Sequence, residues 1–450
     1  MNLYTPLFKN ILFPFFEGAI KNRDTVPQIK MYQNNLSRST EQLEEAQFNR
    51  LTSLLHHCQK TVPYYQRLFA GLGIERIEED IKSLADYQKL PILTKDIIRA
   101  NSEDLISSEH LNHNLIKSTG GSTGAPLRLE LNPESEFSRT AVMYRGYGWL
   151  GAGLGVKTFY LWGASLGEST FLKNLKVSLH ESFLNRKTVS SFDMHQSNLH
   201  EYVAKVNKYK PTAIVSYTNP LYQLAKFILI NDIKMHSPTS IITGAEALSE
   251  YQRAVIEDAF KCKVYNSYGC REVMLIGAEC KHQKGFHLNI DHLVVETVNN
   301  ESQHVTDKTG DVVLTDLSNL GMPLLRYQNG DTGIISTRKC SCGNPLPIME
   351  EVSGRKTDVI KTPSGGIIPG LFFPHLMKEY REIIKYQAKQ SQLSSIELSI
   401  ISDGRLQPST VDSIKKEFNK IAEDVAINIR EVSEIPLTPS GKHRNIICEI

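Results

Sequence analysis

Ser118-Thr119-Gly120-Gly121-Ser122-Thr123-Gly124-Ala125-Pro126 interleaves three glycines with four hydroxyl residues and ends on a proline, directly after the apolar Leu115 and Ile116. Glycine lets the backbone take positive φ and turn successive N–H groups toward one point, and hydroxyls add short donors that can follow a polyphosphate. The stretch therefore reads as a phosphate cradle. It is not a Walker A loop, because no Gly-Lys-Ser/Thr closes it and Ala125 stands where a lysine would be expected. Its positive charge has to come from elsewhere in the chain.

Working outward, five further motifs follow in order: Gly244-Ala245-Glu246, Asn266-Ser267-Tyr268-Gly269-Cys270-Arg271-Glu272, Arg326-Tyr327-Gln328-Asn329-Gly330-Asp331, Gly354-Arg355-Lys356-Thr357-Asp358 and Pro439-Ser440-Gly441-Lys442. Their order and spacing resemble the adenylate-forming (acyl-AMP) ligase superfamily. The resemblance is narrower still to the phenylacetate-CoA ligase-like enzymes, including members associated with capsular polysaccharide synthesis, and it spans nearly the whole chain. It implies ATP-dependent activation of a carboxylate, then transfer of the acyl group to CoA or to an amine such as a sugar amine. A non-catalytic nucleotide-binding relative is the alternative from another class.

The resemblance assigns roles residue by residue. Thr119, Gly120, Gly121, Ser122, Thr123 and Gly124 would grip the β and γ phosphates of ATP. Gly244, Ala245 and Glu246, with Asn266, Ser267, Tyr268 and Gly269, match the segments that enclose adenine. Glu272 stands where the family binds Mg2+, and a hard carboxylate oxygen suits that ion. Asp331 can accept two hydrogen bonds, which fits the two ribose hydroxyls. Arg355 would contact ribose or phosphate at a domain junction, and Lys442 would bring its ammonium to the α-phosphate as the carboxylate attacks. The chain departs from the family pattern at Arg271, where a small hydroxyl residue is usual, at Gln328, where arginine is usual, and at Thr357, where an acid is usual. Arg326 is the residue that would compensate for Gln328.

A second constellation is Cys280, His282, His287, Cys340 and Cys342. Cys340-Ser341-Cys342-Gly343 resembles a metal knuckle, and a closed set of sulfur and nitrogen donors suits structural Zn2+. Relatives that carry a zinc site here favour Cys280, His287, Cys340 and Cys342, with His282 as the other candidate for the nitrogen ligand.

Composition narrows the setting. With 450 residues, two or more domains are expected, and 51 basic against 49 acidic residues leave a net charge of +2, with no global field for nucleic acid. Seven scattered cysteines argue against a disulfide framework and for a reducing, cytoplasmic setting. The apolar segment from Ile11 to Ile20 is interrupted by Pro14 and Glu17 and is too short to span a bilayer. It is expected to pack on the protein's own body, with an interfacial helix as the other option.

Elsewhere Ser39 and Gln42 have capping-box spacing ahead of the helical apolar series Phe48, Leu51, Leu54 and Leu55, and Pro63 ends that helix. Between about 110 and 300, short apolar runs (Val156 to Leu161, Ala213 to Ser216, Ser240 to Ile242, Val264-Tyr265) alternate with helical patterns, which predicts an α/β sheet. The run from Gly310 to Thr315 opens a β-rich part ending near Ser353, after which strand, helix and strand patterns form a small α+β unit. The expected fold is thus α/β: a large N-terminal domain of several subdomains, residues 1–354, and a small mobile α+β C-terminal domain, residues 355–450.

Overall fold

The structure is a computed structural model that describes residues 4–118, 127–163, 171–191, 193–194, 196–246, 248, 250–353, 360–368, 372–377, 379–380, 382–402, 404–435 and 446–450. Thr119, Gly120, Gly121, Ser122, Thr123, Gly124, Arg355 and Lys442 lie outside the described residues. The chain divides into two compact units. One comprises Met1–Lys117, Arg128–Val156 and Tyr265–Arg355, and the other Ser118–Leu127, Lys157–Val264 and Lys356–Ile450.

In the first unit the expected capping box is present. Ser39 Oγ accepts from Gln42 N at 3.3 Å and Ser39 N donates to Gln42 Oε1 at 3.0 Å, opening helix Thr40–Thr61, whose Leu51, Leu54 and Leu55 are buried. Pro63 then starts the next helix, Pro63–Gly71, where its missing N–H costs nothing. The β-rich part is an antiparallel series. Leu293–Val298 pairs with Gly310–Asp316, which pairs with Tyr327–Ser336, then Ile348–Ser353, then Phe286–Leu288, then Met274–Ala278, which closes a hairpin with Val264–Cys270.

Helix Pro133–Trp149 locks this unit with two buried arginines. Arg145 grips Asp291 with two nitrogens, at 2.6 and 2.8 Å, and Arg139 places Nε and Nη2 at 2.9 and 2.7 Å from Asp316 Oδ2. Burial alone would raise both aspartate pKa values, but the paired arginines hold them below the usual range. Between the two pairs lies the fully buried His292. Its Nδ1 is 3.1 Å from Tyr32 Oη and 3.3 Å from Ser318 Oγ, and Arg50 donates to both of those hydroxyls. Their hydrogens are therefore free to point at Nδ1.

The second unit contains the α/β part. Four parallel strands stand in the order Arg186–Ser190, Thr158–Trp162, Ala213–Tyr217, Ser240–Gly244. Three of them lie within a residue or two of their predicted places, and Arg186–Ser190 is an edge strand that was not predicted. Phe159, Leu161, Ile214 and Ile241 pack with Leu221, Leu224, Ile228 and Ile256 from the intervening helices. Tyr217 is also core, with its ring 4.2 Å from that of Trp162.

The C-terminal part is a four-stranded sheet, Ala426–Glu431, Ser395–Ser402, Ile383–Gln392, Ile446–Cys448, covered by helix Pro408–Asn419 through Ile414 and Phe418. The pattern of residues predicts the first two strands of this order but neither the other outer strand, Ile446–Cys448, nor Ile383–Gln392, an interior strand of polar sequence. Its buried Gln390 explains the discrepancy. The amide accepts from Lys361 N at 2.8 Å and donates to Lys361 O at 2.6 Å, so a polar side chain closes a backbone ladder inside the unit.

Burial is the main reason that the His292 pKa falls to about 4. In the unfolded chain the imidazole returns to about 6.5 and takes up a proton that the folded state refuses, so stability is lost as pH drops from 6.5 toward 4, by roughly 3 kcal/mol in all. Burial also lowers His110, His287 and His304, so the His292 share is isolated by difference. Urea midpoints at pH 7 and pH 4.5 should fall more steeply for wild type than for His292→Gln. Parallel slopes would refute the assignment.

Candidate active site

The hairpin of Val264–Cys270 and Met274–Ala278 carries the first carboxylate in its turn. A Cβ on Gly269 would meet Met274 O at 2.1 Å, so only glycine lets the two strands approach, and the register shifts between Tyr268 and Gly269. The kink buries Glu272, which is only 6 % exposed. Tyr327 Oη, itself fully buried, donates to Glu272 Oε1 at 2.7 Å.

The second carboxylate, Asp331, lies four residues after Tyr327 on strand Tyr327–Ser336. Tyr268, four residues before Glu272, donates its hydroxyl to Asp331 Oδ2 at 2.9 Å. The two tyrosines thus cross over, each one bonding the carboxylate that belongs to the other motif. Asn329 completes the arrangement: Nδ2 reaches Tyr268 Oη and Asp331 Oδ2, both at 2.8 Å, while Oδ1 accepts from Asp331 N at 3.0 Å. Burial first, then the Asp331 charge, keeps the Tyr268 phenol protonated and able to donate. Its ring is buried and lies 6.1 Å from that of Phe286, so Tyr268 acts here as a support for Asp331.

Asn266 and Ser267 stand on the same strand, and Asn266 N donates to Glu279 Oε2 at 2.7 Å. Gly244, Ala245 and Glu246 belong to the second unit, at the C-terminal end of strand Ser240–Gly244, where Ala245 takes the left-handed φ of 65° and Thr218 Oγ1 donates to Glu246 O at 3.2 Å. Ends of parallel strands are where α/β folds present ligand-binding loops.

Two departures from the family motif find a physical account. Arg326 does not stand in for the missing arginine: it is 1 % exposed, its Nε and Nη2 face Glu296 at 3.1 and 3.2 Å, and Nη1 caps the carbonyls of Gln88 and Leu90. Gln328 donates to Asp311 Oδ2 at 2.8 Å on the neighbouring strand. Two other basic side chains, Lys117 and Arg271, lie within electrostatic reach of each other. Lys117 ends the approach to the 119–124 loop and bonds Glu136, and its pKa is lowered by burial and further by Arg139 and Arg271. Motif reading passed over Lys117, although a lysine directly ahead of a phosphate cradle was a visible signal.

Cys280, His287, Cys340 and Cys342 come together with all ligand atoms within 4.8 Å of one another. Cys280 Sγ lies 3.7 Å from Cys340 Sγ and His287 Nε2 lies 3.3 Å from Cys342 Sγ. Edges of roughly 3.3 to 3.8 Å follow from tetrahedral zinc bonds of about 2.0 to 2.3 Å. His287 Nδ1 is 3.1 Å from Leu346 O, which fixes the tautomer that leaves Nε2 as a ligand. His282 contributes its backbone N–H to Cys280 Sγ at 3.4 Å, and Asn344 N does the same for Cys342 Sγ. Burial pushes the Cys280 thiol up to about 12. For Cys340 burial acts in the same direction, but hydrogen bonds from Cys342 and Cys280 outweigh it and lower the pKa. The set accordingly shares protons that a divalent cation would displace.

Residues 360–449 match the CapK C-terminal domain family. Over 98 % of both chains the sequence is 25 % identical to Protein CapK of Staphylococcus aureus, and it is 23 % identical to the phenylacetate-coenzyme A ligase of Thermus thermophilus over 92 % of this chain and 96 % of that one. The fold is similar to a 2-hydroxyisobutyryl-CoA ligase solved with 2-HIB-AMP and CoA in the thioesterification state, with TM-score 0.60, 15 % identity and coverage of 92 % of this chain and 91 % of that one. Along nearly its whole length the chain is thus similar to Protein CapK and to a phenylacetate-coenzyme A ligase, and it shares its fold with the 2-hydroxyisobutyryl-CoA ligase.

Proposed function

We propose that this protein activates a small organic carboxylate with ATP and passes the acyl group to CoA. In the first step a carboxylate oxygen attacks the α-phosphorus and pyrophosphate leaves, giving an acyl-adenylate. In the second the CoA sulfur attacks the carbonyl, AMP leaves, and the thiol proton goes to solvent. The observation that carries this reading is the pair of carboxylates, Asp331 and Glu272, held by hydrogen bonds from Tyr268 and Tyr327.

Asp331 would accept both ribose hydroxyls, its orientation set by Asn329 and Tyr268. Glu272 would hold Mg2+, which when bound neutralises charge on the pyrophosphate. Lys117 and Arg271 add fixed positive charge beside Glu272 and the phosphate loop. From the sequence, residues 119–124 would close over the phosphates. A C-terminal domain, residues 355–450, would turn at the Arg355 junction and carry Lys442 to the α-phosphate. Cys280, His287, Cys340 and Cys342 would hold a structural Zn2+. A second reading takes an amine as acceptor, since residues 360–449 match the CapK C-terminal domain and the chain is similar to Protein CapK as well as to CoA ligases.

Carboxylate-dependent exchange of labelled pyrophosphate into ATP tests the first step, and Lys442→Ala should slow it about 100- to 1000-fold. Unchanged exchange would remove Lys442 from the mechanism, and no exchange with any acid would leave a nucleotide-binding protein without this chemistry. Tyr327→Phe should raise the Mg2+ concentration for half-maximal ATP binding roughly 10-fold or more and, by leaving the buried Glu272 carboxylate without this donor, also lower the thermal midpoint; equal Mg2+ dependence would make the Tyr327 bond purely structural. For the cluster, elemental analysis should find one zinc per chain, and Cys340→Ser or a chelator should lower the melting temperature by several degrees. Metal-free protein that is indifferent to chelator would rule the zinc out. Product analysis with CoA and with amines then decides the acceptor.

A further inference from the structure

The first described segment, Tyr4 to Ile20, is continuous helix with two π-helical stretches, Phe8–Leu12 and Phe15–Ile20. A π-helix closes i→i+5 bonds and turns more slowly than an α-helix, so one face recurs every four to five residues. Phe8, Phe13 and Glu17 follow that interval and are buried. Each has a defined seat. Phe8 packs on Gly155, where a Cβ would lie 2.7 Å from the ring, Phe13 meets Tyr144 edge-on at 6.1 Å, and Glu17 accepts from Thr25 Oγ1 at 2.6 Å. Thr5 Oγ1 adds a bond to Gly155 O at 3.0 Å. The segment is therefore docked on its unit by one face.

Leu7, Ile11, Phe15 and Ile20 follow the same interval on another face and are 46, 59, 62 and 59 % exposed. Isolated exposed apolar residues are ordinary, but four in register on one docked helix form a stripe. Basic charge predominates around it. Among residues 4–24 the exposed charged side chains are Lys9, Lys21 and Arg23 against Asp24, while the other acid, Glu17, is buried and faces Arg23 at 3.8 Å. Lys21 sits 5.5 Å above the Phe16 ring, an apolar stem beside a charged head. No helix of the described residues is long and apolar enough to cross a membrane. An apolar stripe with basic flanks is the composition of a helix that lies in a lipid interface.

We propose that the stripe Leu7, Ile11, Phe15 and Ile20 docks the protein reversibly on an anionic lipid surface, with Lys9 and Lys21 meeting the headgroups. A second copy of the chain is the poorer occupant: self-association about a twofold axis would bring basic flanks of equal sign together, whereas anionic lipid complements them.

The full chain should sediment with vesicles of phosphatidylcholine containing one quarter phosphatidylglycerol, more weakly with pure phosphatidylcholine, and less as salt rises. Ile11→Ser/Phe15→Ser should weaken that binding by at least about tenfold, and Lys9→Glu/Lys21→Glu should remove the preference for anionic lipid. Pyrophosphate exchange of the variants controls for folding. F15W supplies a readout without loss of apolarity: its added fluorescence should be quenched by brominated acyl chains in anionic vesicles. Wild type that stays in the supernatant, unchanged binding by Ile11→Ser/Phe15→Ser, or an unquenched F15W would overturn the proposal. A concentration-dependent dimer that Ile11→Ser/Phe15→Ser abolishes, without vesicle binding, would assign the stripe to a second copy instead.

Discussion

The candidate site depends on two tyrosine–carboxylate hydrogen bonds, one buried and one partly buried, that cross between motifs some sixty residues apart. Removing a carboxylate from water is costly unless donors replace the water, and a bond to a charged acceptor recovers about 1.5 to 3 kcal/mol. Tyr327 and Tyr268 supply those donors to Glu272 and Asp331 respectively. Because each tyrosine sits four residues before the carboxylate of its own motif and bonds that of the other, neither strand can shift register without breaking both bonds. The hairpin that carries Glu272 and the strand that carries Asp331 are thereby fixed to each other, which preorganises the two carboxylates. Gly269 is a condition of the same arrangement: a side chain there would strike Met274 O and push the Glu272 turn away from Tyr327.

Some of this was legible in the sequence and some was not, for identifiable reasons. The Ser39 cap, the parallel strands around residues 158, 213 and 240 and the two carboxylate motifs are local signals, carried by neighbours in the chain. The crossed pairing is not local. Tyr268 enters through the resemblance as part of a segment that encloses adenine, and nothing near it in sequence reveals that its hydroxyl ends on Asp331. Strand Ile383–Gln392 was missed because its buried Gln390 satisfies itself on the backbone of Lys361, a partner invisible from hydropathy.

The departures from the family motif have a common electrostatic meaning. An arginine at position 328 would stand beside the nucleotide, but here Gln328 is spent on Asp311 and Arg326 on Glu296 and two loop carbonyls. Arg271, in place of a small hydroxyl residue, returns a positive charge next to Glu272, and Lys117 places another at the start of the phosphate loop.

The thiol and imidazole cluster belongs to the same construction. Cys280 directly follows Glu279, whose carboxylate accepts from Asn266 N and whose backbone carbonyl accepts from Trp149 Nε1 at 2.8 Å. His287 is paired with Ile348 across the strands, and Phe286 beside it, paired with Met349, packs near the Tyr268 ring. A cation joining Cys280 and His287 to Cys340 and Cys342 would tie the strand under Tyr268 to the loop ahead of Ile348–Ser353. That strand is short, and its own ladder to Ile348–Ser353 comprises two residue pairs. Four metal bonds beside two ladder pairs would then hold Phe286, and through it the tyrosine that aims Asp331, more firmly than backbone pairing alone.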